Sequence, residues 1–297
     1  MALEIDLVLD RLNFRICDVH KDDFERFASD LGKFETLGTI NLHWDYKKGA
    51  KDYAYNLHVG QGDGAVYIGY RHNSINAKLV KERFDMKVDF NPNKHDWEAY
   101  KSLWLCMSDF RGYKKGIKSI DLAFDVYAPI SRIVPVSLTG KWTNKFQDTF
   151  YFGQRGSHGF VRIYDKAKEE GLKDIDKTRV EFTISFAEPV TLQVFQSIGE
   201  YDVFKDYIVS VVDFDKLDVE MACILFALQH GFRSLKDFTW RKKEKIKKAL
   251  LGTEQIDFQG VYNERKKAIV DTIRRALNFE WYDKAKTINS ISEGVPF

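Results

Sequence analysis

The sequence predicts an α+β protein, with an antiparallel, sheet-rich core over residues 1–212 and a helical region over residues 213–297. Two textures lead to this reading. Up to about Val211 apolar side chains recur at every second position, the mark of half-buried strands. After Asp213 they recur at three- and four-residue spacing, the mark of helices. A third observation concerns the boundary: no low-complexity tether and no short repeat interrupts the chain, so the change near residue 212 is one of secondary structure.

Strands are expected through Ile5, Leu7 and Leu9, through Ile40, Leu42 and Trp44, and through Phe84, Met86, Val88 and Phe90. A helix is expected from Lys21 to Leu31, with Phe24, Phe27 and Ala28 on its apolar side and Asp22 and Asp23 favouring its start. A second is expected from Asp96 to Phe110, opened by a capping aspartate and carrying Trp97, Tyr100, Trp104 and Met107. Gly60 to Gly64 reads as a hairpin turn. Val219, Cys223, Phe226 and Ala227, then Ile269, Ile273 and Leu277, mark the C-terminal helices.

The 297 residues are 44% hydrophobic and 14% aromatic, enough for a substantial core, which excludes disorder as the main state. No apolar run approaches the roughly 18 residues that a membrane-spanning helix needs. The N-terminus alternates apolar and acidic residues and lacks the features of a secretory signal, which points to the cytoplasm. Three cysteines, Cys17, Cys106 and Cys223, exclude a disulfide framework and are expected to be buried thiols. The seven histidines form no His-x-His or HExxH pattern, and neither GxGxxG nor GxxxxGK[ST] is present, so zinc and nucleotide chemistry lack support. A net charge of +2 says nothing about partners until its distribution is read.

Three strands carry the polar residues suited to chemistry. Lys118 to Tyr127 places Asp121, Ala123 and Asp125 on one face and Leu122, Phe124 and Val126 on the other. Thr149 to Gln154 and Phe160 to Lys166 form an expected hairpin, whose second strand sets Tyr164 between Arg162 and Lys166. Flanking positive charge favours the phenolate. Lys177 to Phe186 places Arg179, Glu181, Thr183 and Ser185 together. If the strands share a sheet, Asp121, Asp125 and Glu181 form an oxygen-rich site for Mg²⁺ or Mn²⁺, with Tyr164 as a nucleophile beside it. Three unconnected carboxylates on a solvated sheet face would give the same pattern.

Basic charge gathers from Arg233 to Lys248, where Trp240 stands beside Arg241, Lys242 and Lys243, with Lys245 following. Such a segment suits phosphate neutralisation, with Trp240 stacking on a base or packing into the core. A solvated helix face is the ordinary alternative.

Four motifs stand in a distinctive order: FNPNK at 90–94, IDLAFD at 120–125, YFGQRGSHGFVRIYDK at 151–166 and TRVEF at 178–182. Together they resemble the Rep_trans family of rolling-circle plasmid replication initiators of Gram-positive bacteria, and the related relaxases of integrative elements. The resemblance implies metal-dependent DNA nicking and closing at an origin, through attack by Tyr164 that leaves a 5′-phosphotyrosine and a free 3′-OH. It implies that Asp121, Asp125 and Glu181 hold the divalent cation, with Arg162, Arg179 and Lys166 as phosphate partners. It also implies origin recognition in the C-terminal part, near Trp240 to Lys245, a homodimer, and a host PcrA-type helicase as partner. The chain lacks the histidine pair of the HUH endonucleases, so carboxylates must replace those ligands. A non-catalytic DNA-binding regulator and a metal-dependent hydrolase that bypasses Tyr164 are rival readings of the same residues.

Overall fold

The computed structural model describes residues 3–38, 40–46, 53–72, 83–140 and 143–278. In chain order the elements are β1 (Ile5–His20), α1 (Lys21–Thr36), β2 (Leu42–Tyr46), β3 (Tyr53–Val59), β4 (Val66–His72), β5 (Arg83–Phe90), α2 (Lys101–Met107) and β6 (Lys115–Val126). There follow β7 (Ile133–Ser137), β8 (Thr143–Phe146), β9 (Thr149–Phe152), β10 (Val161–Asp165), α3 (Lys166–Glu170), β11 (Thr178–Val190), α4 (Leu192–Ser197) and α5 (Asp202–Lys205). The last described elements are β12 (Tyr207–Val211), α6 (Val219–Gln229), α7 (Trp240–Leu251), β13 (Glu254–Gln255) and α8 (Phe258–Asn278). The expected α+β class, with a large antiparallel sheet and a helical C-terminal region, is what the chain adopts. Among the described residues no helix is long and apolar enough to cross a membrane.

Two compact units are interleaved in sequence, so a single cut at residue 212 does not separate them. One comprises residues 9–120, 186–197 and, among the described residues, 267–278; the other comprises 3–8, 121–185 and 198–266. In the first, the strand order is β2-β3-β4-β5-β1. The expected turn at Gly60 to Gly64 joins the antiparallel pair β3 and β4. Gly60 is required there, because its φ is +85° and a Cβ would overlap the ring of Tyr100.

α1 starts where expected: the His20 ring accepts from the Asp22 N–H, and Asp22 and Asp23 occupy the first turn. It runs to Thr36, beyond the expected Leu31, and the chain turns at Gly38, whose φ of +71° suits glycine. Phe24, Phe27 and Leu31 form its buried side. Phe24 stacks on Tyr70 at 4.1 Å, and Phe27 meets Phe110 edge-on at 5.3 Å. α2 is shorter than the expected Asp96 to Phe110. Asp96 does cap a turn, accepting from the N–H groups of Glu98 and Ala99, but regular helix begins at Lys101. The intervening residues place Trp97 in a stack on Trp104, with ring centroids 5.0 Å apart.

The second unit has the strand order β6-β11-β10-β9-β8. Its apolar face is aromatic: Phe182 meets Phe124, Phe204 and Phe258 at 5.8, 5.0 and 4.8 Å. Burying each such ring contributes about 1.5–3 kcal/mol, which holds β6 and β11 face-down and leaves the other face for polar side chains. A smaller sheet, β13-β12-β7, packs with α6 and α7 around Val134, Ile208, Leu225, Leu228, Ile246 and Leu250. The spacing through Val219, Cys223 and Phe226 picked the outer side of α6; its buried side is Met221, Leu225 and Leu228. The helix is apolar nearly all round, VEMACILFALQ, so spacing alone does not select its inner face. The three cysteines correspondingly differ from the expected buried set: Cys106 is buried, Cys17 half-buried and Cys223 exposed.

His95 is buried, and its neighbours define its protonation. Trp104 Nε1 donates to His95 Nε2 at 2.8 Å, so Nδ1 carries the proton and donates to the Gly64 carbonyl at 2.9 Å. Burial holds the imidazole below its ordinary value, against the opposing pull of the Gly64 carbonyl and Asp96. The folded state therefore binds this proton less readily than the unfolded chain. The contribution is complete above about pH 6.5, the ordinary histidine value, and is lost as the pH falls below it. Urea unfolding should show a lower midpoint at pH 5 than at pH 7.5, and His95→Gln, whose amide can still accept from Trp104, should shrink that difference. An unchanged difference in the variant would contradict this assignment.

Candidate active site

Alternation along β10 and β11 decides which side chains share the polar face. The register sets Arg162 opposite Glu181 and Tyr164 opposite Arg179. Between them Val161, Ile163, Val180 and Phe182 point to the other side and are fully buried. The expected hairpin of β9 and β10 and the expected faces of β10 and β11 are therefore present.

Glu181 is the centre of the group. Its Oε1 accepts from Tyr164 Oη at 2.8 Å and from Arg162 Nη2 at 2.9 Å, while Oε2 accepts from Arg162 Nε at 2.8 Å. The guanidinium carbon lies 4.4 Å from the centroid of the Tyr164 ring. Beside this triad lies a second fork, in which Arg179 Nε and Nη2 donate to Asp125 Oδ1 and Oδ2 at 2.6 and 2.7 Å. Both residues of that pair are buried.

Tyr164 is held at the junction of a strand and a helix. The next residue, Asp165, caps α3 by accepting from the Lys168 N–H at 2.8 Å, and Gly171 closes the helix at φ +70°. Lys166, the first residue of α3, is buried and ion-paired with Glu169, with Glu170 Oε1 at 3.5 Å. It is therefore committed to its own helix. Glu169, which the strand-based reading did not single out, accepts from Lys166, whose ammonium holds the Glu169 carboxyl below the usual range against the opposing effect of burial. The signal was available as a lysine followed by glutamates three and four residues on.

The expectation of a favoured phenolate is overturned. Burial, followed by the charge and hydrogen bond of Glu181, pushes the Tyr164 phenol well above its ordinary value, and Arg162 and Arg179 only partly oppose this. Arg162 behaves conversely. Burial would lower its pKa, but the hydrogen bond and charge of Glu181 raise it. The cations that sequence places beside Tyr164 are thus neutralised by carboxylates, Arg162 by Glu181 of the neighbouring strand and Lys166 by Glu169 of its own helix.

Asp121 lies on β6, half-buried, four residues before Asp125. Ala123 between them and Leu122, Phe124 and Val126 on the opposite side are all fully buried, so both faces of this stretch are covered. The carboxylates Asp121, Asp125 and Glu181 do not form a ligand set as arranged, because Asp125 and Glu181 each give both oxygens to a guanidinium. Among the described residues no three His, Cys, Asp or Glu side chains gather closely enough to hold one metal ion.

The basic segment forms the start of α7. Trp240 is 73% exposed, which excludes core packing, and Arg241 and Lys245 are exposed beside it. Lys242 pairs with Glu220, and Lys243 is half-buried. No acidic residue occupies the first turn, so the cations add to the positive end of the helix dipole. That arrangement costs helix stability and concentrates positive potential at one point.

Removing Asp125 leaves Arg179 buried and uncompensated, which costs about 3–5 kcal/mol. Arg162 is 36% exposed, so water can solvate what its removal leaves behind. Urea unfolding should accordingly show Asp125→Ala far less stable than Arg162→Ala. Equal losses would contradict the two environments.

No family model matches the chain. It is similar to three curated proteins of Staphylococcus aureus named replication initiation protein. The first is 28% identical over 204 residues, 65% of this chain and 62% of the relative; the second is 26% identical over 226 residues, 72% and 68%. The third is 32% identical over 152 residues, 48% and 45%. The chain thus spans about three fifths of the first relative's length. A solved structure of a rolling circle replication initiator protein from Geobacillus stearothermophilus matches with 14% identity and a TM-score of 0.40, covering 73% of this chain and 90% of that one. By sequence, the chain is similar to replication initiation proteins.

Proposed function

We propose that the chain is a rolling-circle replication initiator that nicks one strand of a plasmid origin and transfers it through a covalent 5′-phosphotyrosine at Tyr164. The observation that carries this reading is the Glu181 carboxylate accepting from Tyr164 and Arg162 at once. Because the phenol resists ionisation, its proton must leave as Oη attacks, and Glu181, 2.8 Å away, is placed to take it. The Oη–phosphorus bond forms as the bond from phosphorus to the 3′ oxygen breaks, and that oxygen takes a proton from water to leave as a free 3′-OH. A phosphate entering beside Tyr164 competes with Glu181 and Asp125 for Arg162 and Arg179, whose forks match its oxygens. Developing negative charge on phosphorus then meets fixed donors, the usual source of stabilisation in phosphoryl transfer.

Mg²⁺ or Mn²⁺ enters the proposal as a condition of the reaction, with Asp121, Asp125 and Glu181 as the donors whose chemistry suits it. As arranged, two of the three are held by guanidiniums, and the steps above are those of the chain's own groups. The exposed Trp240, Arg241 and Lys245 at the start of α7, with Lys242 and Lys243, are proposed to contact origin DNA. A homodimer and a PcrA-type helicase partner belong to the same proposal through the family resemblance.

A denaturing gel tests the reading, using single-stranded DNA from a candidate origin with Mn²⁺ or Mg²⁺ and then with chelator. The wild type should give a DNA-linked protein band that Tyr164→Phe lacks, and Glu181→Gln should slow its appearance by about 10²–10⁴-fold, the range of a general base. Cleavage without a linked band, persisting in Tyr164→Phe, would replace tyrosine attack by water. Origin binding with no cleavage at all would favour the regulator.

A further inference from the structure

The polar face beside Tyr164 carries a feature that the nicking reaction does not use. An open cavity of about 580 Å³ is lined by Asn144, Tyr151, Gly153, Gln154, Arg155 and Phe160. The rings of Tyr151 and Phe160 stack with centroids 6.3 Å apart and planes at 25°, and both stay half-buried. Register ties them to the nucleophile. Tyr151 lies directly opposite Arg162 and Asn144 opposite Tyr151, while Phe160 precedes Arg162 by two residues. All four therefore share one face with Tyr164. Tyr164 stands about 7 Å along the strand from Arg162, and Tyr151 about 5 Å across from it. That separation equals two or three nucleotides of a stacked strand at roughly 3.4 Å each.

The lining has three chemical parts: flat apolar ring faces, the amides of Asn144 and Gln154 with donors and acceptors, and the exposed Arg155 guanidinium at the rim. An unpaired nucleobase with its phosphate presents the complement of all three. Ring faces stack on any base, amides bond its edge, and the cation meets the backbone. A cross-strand aromatic pair that only stabilised the hairpin would need neither the open cavity nor the amides. We propose that this pocket binds an unpaired DNA base two or three nucleotides from the phosphate that Tyr164 attacks, an assignment that rests on the reading of Tyr164 as nucleophile. The base would fix which phosphate faces the phenol, so the pocket is a specificity site for the nick.

The test uses full-length Tyr164→Phe protein, so that binding is read without cleavage. Fluorescence anisotropy compares a short oligothymidylate with an abasic oligomer of the same length and charge. The thymidylate should bind at least about ten-fold more tightly, the effect of one stacked base. Tyr151→Leu and Phe160→Leu, which keep apolar volume but remove the ring, should erase most of that ratio and leave abasic binding unchanged. Irradiating the Tyr164→Phe protein with a 5-bromodeoxyuridine oligomer should attach it at Tyr151 or Phe160, mapped by mass spectrometry, and this arm needs no change to the hairpin. Equal binding of the two oligomers, equal loss of both in the leucine variants, or attachment only elsewhere would overturn the pocket. Failure of the nucleophile reading shows separately, as a missing DNA-linked band in the wild type.

Discussion

Glu181 brings a charge to the part-buried face of an antiparallel sheet, and its forked contact with Arg162 offsets the cost of placing it there. The fork uses both carboxylate oxygens and still leaves Oε1 able to accept from Tyr164. In the proposed reaction one side chain thus orients the nucleophile, fixes a phosphate-binding group and provides a proton acceptor. Because Arg162 and Glu181 lie directly opposite each other on paired strands, a slip of β10 against β11 by one residue would send Arg162 to the apolar face and part it from Glu181. The chemistry proposed for the site depends on that register.

The register depends in turn on the opposite face. Phe182 alternates with Arg179 and Glu181 along β11, and its ring is locked among Phe124, Phe204 and Phe258. Turning Glu181 inward would turn Phe182 out to water. The second fork, between Arg179 and Asp125, ties β11 to β6 through buried charges. Removing either partner of such a pair leaves the other buried and uncompensated. In the proposed reaction the two arginines exchange carboxylates for phosphate, so the same forks that order the free protein become the DNA-binding groups.

Period-two alternation made much of this legible in the sequence. It placed Tyr164 with Arg162, and Arg179 with Glu181, because a strand with one buried face admits only one assignment. It did not give the ionisation of Tyr164. That is set by a carboxylate from the neighbouring strand and by burial, and neither the pairing partner nor its register is written locally. For the same reason Arg162 and Arg179 looked free, although they are committed to Glu181 and Asp125; the pairing of Lys166 with Glu169 was written locally, three residues on. The inner side of α6 was hidden by the opposite problem, an apolar surface all round that leaves Cys223 exposed. Trp240 was open between base and core until its exposure decided against the core. The aromatic pair of Tyr151 and Phe160 is separated in sequence by the hairpin turn and meets only once β9 and β10 pair.

The central claim is that Glu181 holds Tyr164 as a neutral hydrogen-bonded phenol poised for proton transfer. NMR of protein labelled with ¹³Cζ-tyrosine, with the resonance assigned by its loss in Tyr164→Phe, reads that state directly. The account predicts that Tyr164 stays protonated past about pH 10, where exposed tyrosines titrate, and that Glu181→Gln brings its titration down. A Tyr164 resonance that titrates first, well below its exposed counterparts, would show a standing phenolate beside unneutralised cations and contradict the account.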